Sequence, residues 1–431
     1  MRLRDALAEP GLRAIAEIKR RSPSAGDLRP EADPAQLAAA FERAGAAAVS
    51  VLVDERFAGS PADLTAARSA SRLPLLAKGF FSERRELEEL RELGADGVLL
   101  LLRDLDDSQA RELMGAAEEL GLDALVEAHD AEELERAVEL GAAVIGVNAR
   151  DLNTFEIDRA AQLALVERAP RDRVVIAESA IASRAQGAEA ELAGADAILV
   201  GSTLMRAADP AAKLSELISR PLVKVCGLTR DEDVAVAAEA GADLAGFILA
   251  RETPRRAPGV LPVPETMLSV AVHVGEVTDD GADLVQLYPR ENGHRARDGV
   301  LLRGDQEVAK VVDRPWQETD PTHYERARAA EGRVVLAGGL GPENVREAIE
   351  SVRPWAVDAS SSLELEPGIK DRARVRAYVE AARGVGSTEP RRSGSVGFAG
   401  AGSGTRGVGS TEPRRSGSAG SAGAGSGPEW S

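Results

Sequence analysis

The sequence has few of the residues that several common kinds of function require. Its 431 residues include one cysteine, Cys226, so the chain cannot form an internal disulfide, and we expect a reducing compartment, the cytoplasm. Aromatic residues make up only 3%, too few for a surface that stacks nucleic-acid bases. The formal net charge of -18 also disfavours DNA or RNA as a partner, because both are polyanions.

Long apolar runs and clustered metal ligands are missing as well. No run reaches about 18 apolar residues without a charge, so we expect no membrane span. The start, MRLRDALAEP, lacks the apolar core of a signal peptide. The histidines show no ligand spacing, and we therefore expect no metal site; they are His129, His273, His294 and His323.

Lysine is scarce although basic residues are not. Of 53 basic residues nearly all are arginine, and lysine occurs only at positions 19, 78, 213, 224, 310 and 370. Lysine can be tuned to exchange a proton near neutral pH, whereas arginine cannot. Because Lys19, Lys78 and Lys224 lie in or at the end of apolar, strand-like runs, these three are candidates for catalytic groups.

The first half of the chain repeats a strand followed by a helix. Amphipathic segments separate eight short runs, most of them continuously apolar, as expected for parallel strands covered on both faces. We expect residues 1–219 to form a (β/α)8 barrel, with an open doubly wound sheet as the alternative. The runs are 14–19, 47–53, 73–80, 96–102, 122–128, 144–150, 173–179 and 196–202.

A second set of eight strand-like runs occupies residues 220–383. The spacing is irregular: GDQE, between Arg303 and Ala309, leaves room only for a hairpin turn, so we expect a second, trimmed barrel. From residue 384 to 431 the chain is rich in Gly and Ser and repeats RGVGSTEPRRSGS, which predicts a disordered tail. The second set is 221–227, 244–250, 268–275, 283–288, 299–303, 309–313, 333–339 and 354–360.

Ionisable residues stand where the first set of strands ends. Catalytic groups of (β/α)8 barrels lie at the carboxyl ends of strands, and small residues after strands seven and eight bind phosphate there. Burying so many charges in a purely structural core would be costly. The residues at these ends are Glu17, Lys19, Lys78, Glu127, Asn148, Arg150, Glu178, Ser179, Gly201 and Ser202.

The motifs of the first half resemble those of indole-3-glycerol phosphate synthase. They are AEIKRRSPS at 16–24, Lys78, Glu127, GVNARDL at 146–152 and AES at 177–179, and the similarity covers most of residues 14–218. The resemblance implies that Lys78 is the general acid on the substrate ketone, that Lys19 contacts the carboxylate, and that Glu127 exchanges protons during dehydration. It also implies that Glu17, Asn148 and Glu178 orient the reacting groups, that Ser179, Gly201 and Ser202 hold the phosphate, and that Ser22 and Arg150 bind substrate.

The second half resembles phosphoribosylanthranilate isomerase over residues 221–382. The motifs are VKVCGLT at 223–229, LAGGLGPENV at 336–345, VDASS at 357–361 and PGIKD at 367–371. The resemblance implies that Cys226 is the general base, that Asp313 is the general acid, and that Arg255 contacts the anthranilate carboxylate. It also implies a phosphate site formed by Gly338, Gly339, Ser360 and Ser361, with Asp358 beside it.

Two positions and one loop are among the departures from these families. Ala180 stands where the synthase family usually has a glycine that helps to bind phosphate, and we expect weaker binding at most. Tyr288 stands where the isomerase family has histidine. The glycine-rich loop expected after Asp313 is replaced by RPWQETD.

Together the resemblances imply a bifunctional, monomeric enzyme of tryptophan biosynthesis that acts on phosphorylated anthranilate substrates. Neither reaction is a net redox change, so we expect no cofactor. Three alternatives stay open at this stage. They are an active synthase with a decayed isomerase barrel, a phosphate-binding scaffold without turnover, and another phosphosugar enzyme, although paired aspartates on strands one and five are missing for the last.

Overall fold

A computed structural model describes residues 2–151, 154–251, 253–278, 280–314 and 319–384. The chain forms two closed, eight-stranded barrels in succession. The tail expected at 384–431 lies outside these residues except for Gly384. Within the described ranges no helix combines the length and the apolar character needed to cross a membrane.

The first barrel is wholly parallel, and its strands are buried on both faces as their apolar composition predicts. The order follows the chain, and the last strand pairs with the first, which closes the ring and rules out the open doubly wound sheet. The barrel strands are β1 (Arg13–Ile18), β4 (Ala48–Leu52), β5 (Leu75–Lys78), β6 (Gly97–Leu101), β7 (Asp123–Ala128), β8 (Val144–Asn148), β9 (Val174–Glu178) and β10 (Ala197–Val200), and a small hairpin follows β1, formed by β2 (Arg21–Ser22) and β3 (Gly26–Asp27).

Helices surround the first barrel, and side-chain caps fix where several of them begin. Asp33, Asp106 and Asp130, for example, accept backbone N–H groups at the first turns of their helices. The helices are α1 (Leu3–Leu7), α2 (Pro34–Arg43), α3 (Pro61–Ala70), α4 (Arg84–Glu92), α5 (Asp107–Glu119), α6 (Ala131–Glu139), α7 (Arg159–Arg168), α8 (Arg184–Ala193), α9 (Ser202–Arg206) and α10 (Pro210–Ile218), with a 3-10 turn at Glu55–Phe57.

The second barrel has the eight expected strands, but one of them is reversed. It contains β11 (Leu222–Cys226), β12 (Leu244–Ile248), β13 (Leu268–Val274), β14 (Leu284–Tyr288), β17 (Gly299–Arg303), β18 (Gln306–Val312), β19 (Val334–Leu336) and β20 (Ala356–Ala359). Strand β17 is antiparallel to both of its neighbours, β14 and β18. The hairpin turn predicted after Arg303 is present. Because this turn joins β17 directly to β18, the two strands must run in opposite directions.

The trimming of the second barrel is extensive. In its described residues four α-helices remain: α11 (Asp231–Glu239), α12 (His323–Ala329), α13 (Val345–Val352) and α14 (Arg372–Arg383), with a 3-10 turn at Ser361–Leu363. Two hairpins lie outside the ring, β15 (Arg290–Glu291) with β16 (His294–Arg295), and β21 (Glu364–Glu366) with β22 (Ile369–Lys370). The first of these hairpins occupies the connection between β14 and β17.

The amino-terminal end of each barrel is filled by a helix from the first half of the chain. Leu3 and Leu7 of α1 are fully buried in the inner core of the first barrel. Helix α8 packs Ala185, Ala188 and Leu192 into the core at the strand starts of the second barrel, beside Leu222. The two barrels therefore share a buried apolar contact.

Charged groups line the same contact between the barrels. The carboxylate of Glu191 on α8 is nearly buried and pairs with Arg220 and with Arg333. It also accepts the indole N–H of Trp355 at 3.2 Å. One carboxylate thus joins the first barrel to three groups of the second half of the chain.

Candidate active sites

A cavity of about 390 Å³ opens at the carboxyl ends of the first barrel's strands. Every residue that sequence analysis assigned to the synthase site lines it. They are Glu17, Lys19, Ser22, Lys78, Glu127, Asn148, Arg150, Glu178, Ser179, Gly201 and Ser202. The structure therefore brings together side chains that come from six of the eight strands or from the loops that follow them.

Lys78, at the end of β5, is surrounded by three carboxylates on the cavity floor. Its Nζ atom lies 2.7 Å from Glu178 Oε2, 3.6 Å from Glu127 Oε2 and 3.7 Å from Glu17 Oε2. Glu17 also pairs with Lys19, whose Nζ lies 2.7 Å from Glu17 Oε1. Removing these charged groups from water is costly, and their close pairing offsets that desolvation cost.

The pairing divides the carboxylates into two kinds. Burial works against the charge on Lys78, but the three carboxylates prevail and hold its pKa well above the ordinary value. Burial raises the pKa of Glu178 to about 8, and the nearby charge of Glu127 adds to that rise although Lys78 opposes it. Burial also opposes ionisation of Glu127, yet Lys78 and His129 hold the pKa of Glu127 well below its usual range. Lys78 is thus a cation and Glu127 a carboxylate, whereas Glu178 is the carboxyl group of the three whose pKa is raised.

His129 belongs to this site although sequence analysis found no role for it. It follows Glu127 by two residues, and its Nε2 atom lies 3.2 Å from Glu127 Oε1. Its Nδ1 atom lies 3.0 Å from Glu133 Oε2, whose oxygen also accepts the His129 backbone N–H. Burial lowers the pKa of His129, but the nearby carboxylates of Glu127 and Glu133 outweigh it and raise the pKa to about 10. The signal in the sequence was that His129 follows Glu127 by two residues, since alternate residues of an extended chain point to the same side.

Asn148 completes the surroundings of Glu127. Its Nδ2 atom donates to Glu127 Oε1 at 3.1 Å, and its Oδ1 atom accepts the backbone N–H of Arg150 at 3.0 Å. The guanidinium of Arg150 donates to Ser24 Oγ at 3.3 Å, so the loop after β8 is tied to the loop after β1. Glu127 is therefore held by Asn148, which lies at the end of the neighbouring strand β8.

The expected phosphate end of the cavity has an unusual backbone. Ser179 and Ala180 both have positive φ angles, 68° and 54°, which alanine adopts at a cost. At the end of β10, position 201 favours glycine, because a Cβ atom there would lie 2.3 Å from Glu17 Oε1. Ser179, Gly201 and Ser202 lie on this side of the cavity as the sequence predicts.

Three phenylalanines line the same cavity and were missed from sequence. Phe57, Phe80 and Phe155 all line the cavity, and the rings of Phe57 and Phe80 are stacked 6.4 Å apart. The guanidinium of Arg56 lies 3.5 Å from the centre of the Phe80 ring. With aromatics so rare, three phenylalanines in one cavity provide a flat apolar surface for an aromatic substrate.

A second, smaller cavity of about 50 Å³ opens at the corresponding end of the second barrel. It is lined by all but one of the residues that sequence analysis assigned to the isomerase site. Those that line it are Cys226, Asp313, Gly338, Gly339, Asp358, Ser360 and Ser361. Arg255 does not line it; its Nε atom donates to both carboxylate oxygens of Glu364, at 3.1 and 2.9 Å.

A hydrogen-bonded row of side chains crosses the floor of this cavity. Lys224 Nζ lies 2.7 Å from Asp358 Oδ2 and 2.9 Å from Gln286 Oε1. Gln286 Nε2 donates to the hydroxyl of Tyr288 at 2.7 Å, and that hydroxyl donates to Asp313 Oδ2 at 2.9 Å. Tyr288, the departure noted above, therefore positions Asp313.

The two groups expected to move protons both have raised pKa values. Burial raises the pKa of the Cys226 thiol, although the ammonium of Lys224 opposes the rise. Burial likewise raises the pKa of Asp313, against the charge of Arg295 and the hydrogen bond from Tyr288. Cys226 is thus a thiol at neutral pH.

Comparison with known proteins distinguishes the two halves. Residues 1–217 match the family model "Indole-3-glycerol phosphate synthase", and residues 320–381 match "N-(5'phosphoribosyl)anthranilate (PRA) isomerase". The indole-3-glycerol phosphate synthase of Leifsonia xyli subsp. xyli is 49% identical over 214 residues, which cover 49% of this chain and 82% of that protein.

One relative spans both halves. The "Multifunctional tryptophan biosynthesis protein" of Schizosaccharomyces pombe is 31% identical over an alignment that covers 86% of this chain and 59% of that protein. Among solved structures, TrpF from Jonesia denitrificans is 26% identical and covers 39% of this chain and 99% of its own, with a TM-score of 0.32. A TM-score of 0.32 is too low to support an argument from this structure. The assignment of the second half therefore rests on its match to the isomerase family model and on its sequence motifs.

Proposed function

Because the chain belongs to the indole-3-glycerol phosphate synthase family, we infer that it is a bifunctional enzyme of tryptophan biosynthesis. The second barrel isomerises N-(5-phosphoribosyl)anthranilate to the carboxyphenylamino-deoxyribulose phosphate. The first barrel converts that product, with loss of CO2 and water, to indole-3-glycerol phosphate. The observation that carries the synthase activity is Lys78, held as a cation among three carboxylates on the floor of a cavity that every predicted synthase residue lines.

In the synthase reaction a ring carbon of the anthranilate attacks the ketone of the sugar chain. Lys78 can act as the general acid at that ketone, because its raised pKa keeps it positively charged. The negative charge that develops on the ketone oxygen needs such a cation nearby. Glu127, ionised and held by Asn148 and His129, fits the part of the base that removes a proton as the ring becomes aromatic. Lys19 stands beside Glu17 at the cavity wall, where it can meet the substrate carboxylate.

The remaining synthase residues divide by place in the cavity. The positive φ angles of Ser179 and Ala180, together with Gly201 and Ser202, support a phosphate site at the ends of β9 and β10. The three phenylalanines support a place for the anthranilate ring. Glu17 and Glu178 orient Lys78, while Ser22 and Arg150 line the cavity, where they can bind the substrate.

In the isomerase reaction Asp313 protonates the ribose ring oxygen, which opens the ring to an iminium ion. Cys226 then removes the proton from C2 and gives an enolamine, which relaxes to the ketone. Gly338, Gly339, Ser360 and Ser361 surround one side of the cavity and fit a phosphate, with Asp358 held beside them by Lys224. Arg255 is proposed to reach the anthranilate carboxylate from its pair with Glu364.

We propose that the activities divide at residues 219 and 220, between α10 and β11, and that the chain works as a monomer in the cytoplasm. The contacts of α1 and α8 support a monomer, because the amino-terminal ends of both barrels are already covered by the chain itself. Light scattering of the purified protein tests this state directly.

Growth rescue of two tryptophan auxotrophs, one lacking each activity, tests the function. The wild-type chain should rescue both strains; Lys78→Met should rescue only the strain that lacks the isomerase, and Cys226→Ala only the strain that lacks the synthase. The small volume of the second cavity favours the alternative of a decayed isomerase barrel. Failure of the wild type to rescue the isomerase strain would establish that alternative, and failure in both strains would overturn the proposal.

A further inference from the structure

A hairpin beside the isomerase cavity contains a lysine for which the proposed reaction has no role. The hairpin follows β20, and its strands β21 and β22 place Glu364 directly opposite Lys370. Lys370 Nζ lies 3.0 Å from Glu364 Oε1 and donates to the backbone carbonyl of Ser360 at 3.1 Å. Because Ser360 lines the cavity, this ion pair is attached to the wall of the isomerase site.

Glu364 binds two cations at once. Besides Lys370 it accepts from Arg255 Nε, which lies 3.1 and 2.9 Å from its two carboxylate oxygens. The backbone N–H of Gly368 donates to Glu364 Oε1 at 3.2 Å. The side chains are only 9% exposed for Arg255, 4% for Glu364 and 0% for Lys370. A carboxylate buried so deeply needs a cation, because removing the partner of a buried charge is strongly destabilising.

Arg255 and Lys370 both lie close to the reacting groups. Gly227 follows Cys226, the proposed base, and a Cβ atom at position 227 would lie 3.6 Å from Arg255 Cδ and 3.4 Å from Lys370 Nζ. The same atom would lie 2.7 Å from the Oγ atom of Ser360, at the proposed phosphate site. Both cations therefore pack against the glycine that follows the base.

The proposed role of Arg255 creates a cost at Glu364. To meet the anthranilate carboxylate, the guanidinium has to leave the oxygens of Glu364, which stay buried. Lys370 is fully buried and already in contact with the same carboxylate, so it can keep Glu364 paired. Burial lowers the pKa of Lys370, and the charge of Glu364 opposes that fall, so the two groups stabilise each other's ionised form.

We propose that Lys370 is a positioning residue of the isomerase: it retains Glu364 while Arg255 exchanges that carboxylate for the carboxylate of the substrate. The inference rests on the proposed isomerase function and on the contact that this function gives Arg255. Arg255 then has a carboxylate partner before and after the substrate binds, and Glu364 has a cation in both states. Specificity for a carboxylated substrate thus depends on a lysine that does not touch the substrate.

Charge gives this exchange a consequence that a purely structural ion pair would not have. In Lys370→Met, Arg255 is the cation left to Glu364 among the described residues, so the substrate carboxylate must compete with a buried glutamate. Adding Glu364→Gln to that variant removes the competitor, because glutamine carries no charge. The double variant should therefore recover what the single variant loses, whereas a loss of packing alone would leave the double variant at least as impaired.

The test compares two substrates in five forms of the full-length protein. The substrates are phosphoribosylanthranilate and phosphoribosylaniline, which lacks only the carboxylate. The forms are wild type, Lys370→Met, Glu364→Gln, the double variant and Lys310→Met. The last is a matched control in the same barrel, because Lys310 forms an exposed pair with Glu307. Turnover of phosphoribosylaniline shows in each form that the isomerase barrel is folded, independently of any carboxylate contact.

We expect wild type to prefer the carboxylated substrate by roughly tenfold to a hundredfold in kcat/KM, as one charge-assisted contact predicts. Lys370→Met should lose most of that preference through a higher KM for phosphoribosylanthranilate, with kcat little changed, because Glu364 retains Arg255. Glu364→Gln should keep or exceed the wild-type preference, and the double variant should regain it. Lys310→Met should match wild type.

Three results would overturn the inference: no preference in wild type, a preference that persists in Lys370→Met, or a double variant that stays as impaired as Lys370→Met. If Lys370→Met turns over neither substrate, the double variant decides, since recovery supports the exchange and continued inactivity shows a structural role. Absence of turnover of both substrates in wild type would instead overturn the proposed isomerase function, so the two failures can be told apart.

Discussion

Lys78 Nζ lies 2.7 Å from Glu178 Oε2, and both side chains are buried on the floor of the synthase cavity. The relationship is unusual because burial nevertheless raises the pKa of Glu178 to about 8. A raised carboxyl pKa means that the folded chain holds a proton that the unfolded chain releases near pH 4.5. The free energy of unfolding must therefore fall as pH rises from about 4.5 to about 8.

Glu178→Gln should flatten this dependence, because glutamine does not titrate. We expect wild type to lose roughly 1 kcal/mol more per pH unit than the variant within that window. Urea unfolding of both proteins at pH 5, 6.5 and 8 measures the difference. Parallel curves for the two proteins would contradict the raised pKa.

His129→Gln should weaken the synthase by removing the cation between Glu127 and Glu133. Three buried carboxylates would then share Lys19 and Lys78 alone, so the pKa of Glu127 should rise. We expect the acid limb of the synthase kcat/KM profile to move to higher pH, so that activity falls most at the acid end of the profile. Glu133→Gln should move the limb the same way by a smaller amount, and an unshifted limb in both variants would refute the role.

His129 should also stabilise the fold in a particular pH range. Its pKa in the folded chain, about 10, exceeds its ordinary value of 6.5. The stabilisation is complete below pH 6.5 and is lost as pH rises toward 10. Unfolding measured from pH 6 to 10 should therefore show a decline in wild type that His129→Gln lacks.

Ala180→Gly should stabilise the synthase barrel. Ala180 has a φ of 54°, a conformation that costs alanine about 1–2 kcal/mol and costs glycine almost nothing. Part of the gain is offset by the larger entropy of glycine in the unfolded chain, so we expect a net gain of up to about 1 kcal/mol in the free energy of unfolding. The affinity of the variant for inorganic phosphate, measured by calorimetry, should equal or exceed that of wild type; a loss of stability would contradict this explanation.

The kcat/KM of the isomerase should show a flat-topped pH profile. Its acid limb should report the general acid and its alkaline limb the general base, the reverse of the usual assignment. Cys226 must be a thiolate and Asp313 protonated, yet burial raises the pKa of Cys226 from 9.0, and Asp313, though raised from 3.8, is the stronger acid. Between the two pKa values, gain of thiolate and loss of protonated Asp313 cancel as pH rises. The acid limb then belongs to Asp313 and the alkaline limb to Cys226.

Direct titration of Cys226 tests that assignment, because it is the chain's one cysteine. Its thiolate absorbance in the folded protein should titrate with the alkaline limb of kcat/KM. Titration below pH 7 would contradict the assignment. Cys226→Ala should lose isomerase activity by roughly a hundredfold to ten-thousandfold while its synthase activity serves as the control.

Glu191→Ala should destabilise both barrels together. It would leave Arg220, Arg333 and the indole N–H of Trp355 without their shared carboxylate, and because both arginines are partly exposed we expect a loss of about 1–3 kcal/mol. Both activities should then be lost on heating at the same, lower temperature. Glu189→Ala, on the same helix but in a more exposed pair with Arg159, should cost much less. Loss of only one activity in Glu191→Ala would contradict coupling through α8.

The strands and most site residues follow from local pattern. Apolar runs such as AIAEIK need both faces covered, and parallel strands in a closed ring bring their carboxyl ends to one rim. Glu17, Lys78 and Glu127 could therefore be placed together before any contact was known. The hairpin after Arg303 was equally readable, because GDQE is too short for a helix.

Other features depend on contacts between segments far apart in the chain. Arg295 gains its ion pair from Asp313, and α8 gains its apolar packing from a core that begins at Leu222. The reversal of β17 follows from its hairpin only when its other neighbour, β14, is also known. None of these pairings leaves a periodic signal.

The sequence by itself determined two rings of buried strands and the kinds of side chain at their rims, because burial imposes a pattern that repeats over a few residues. Tertiary structure decided which of those groups carry a proton, since the pKa of Glu178 or Asp313 depends on burial and on charges contributed by other strands. It also decided that Arg295 faces the isomerase cavity and that α8 joins the two barrels, because only folding brings such distant residues within a few ångströms.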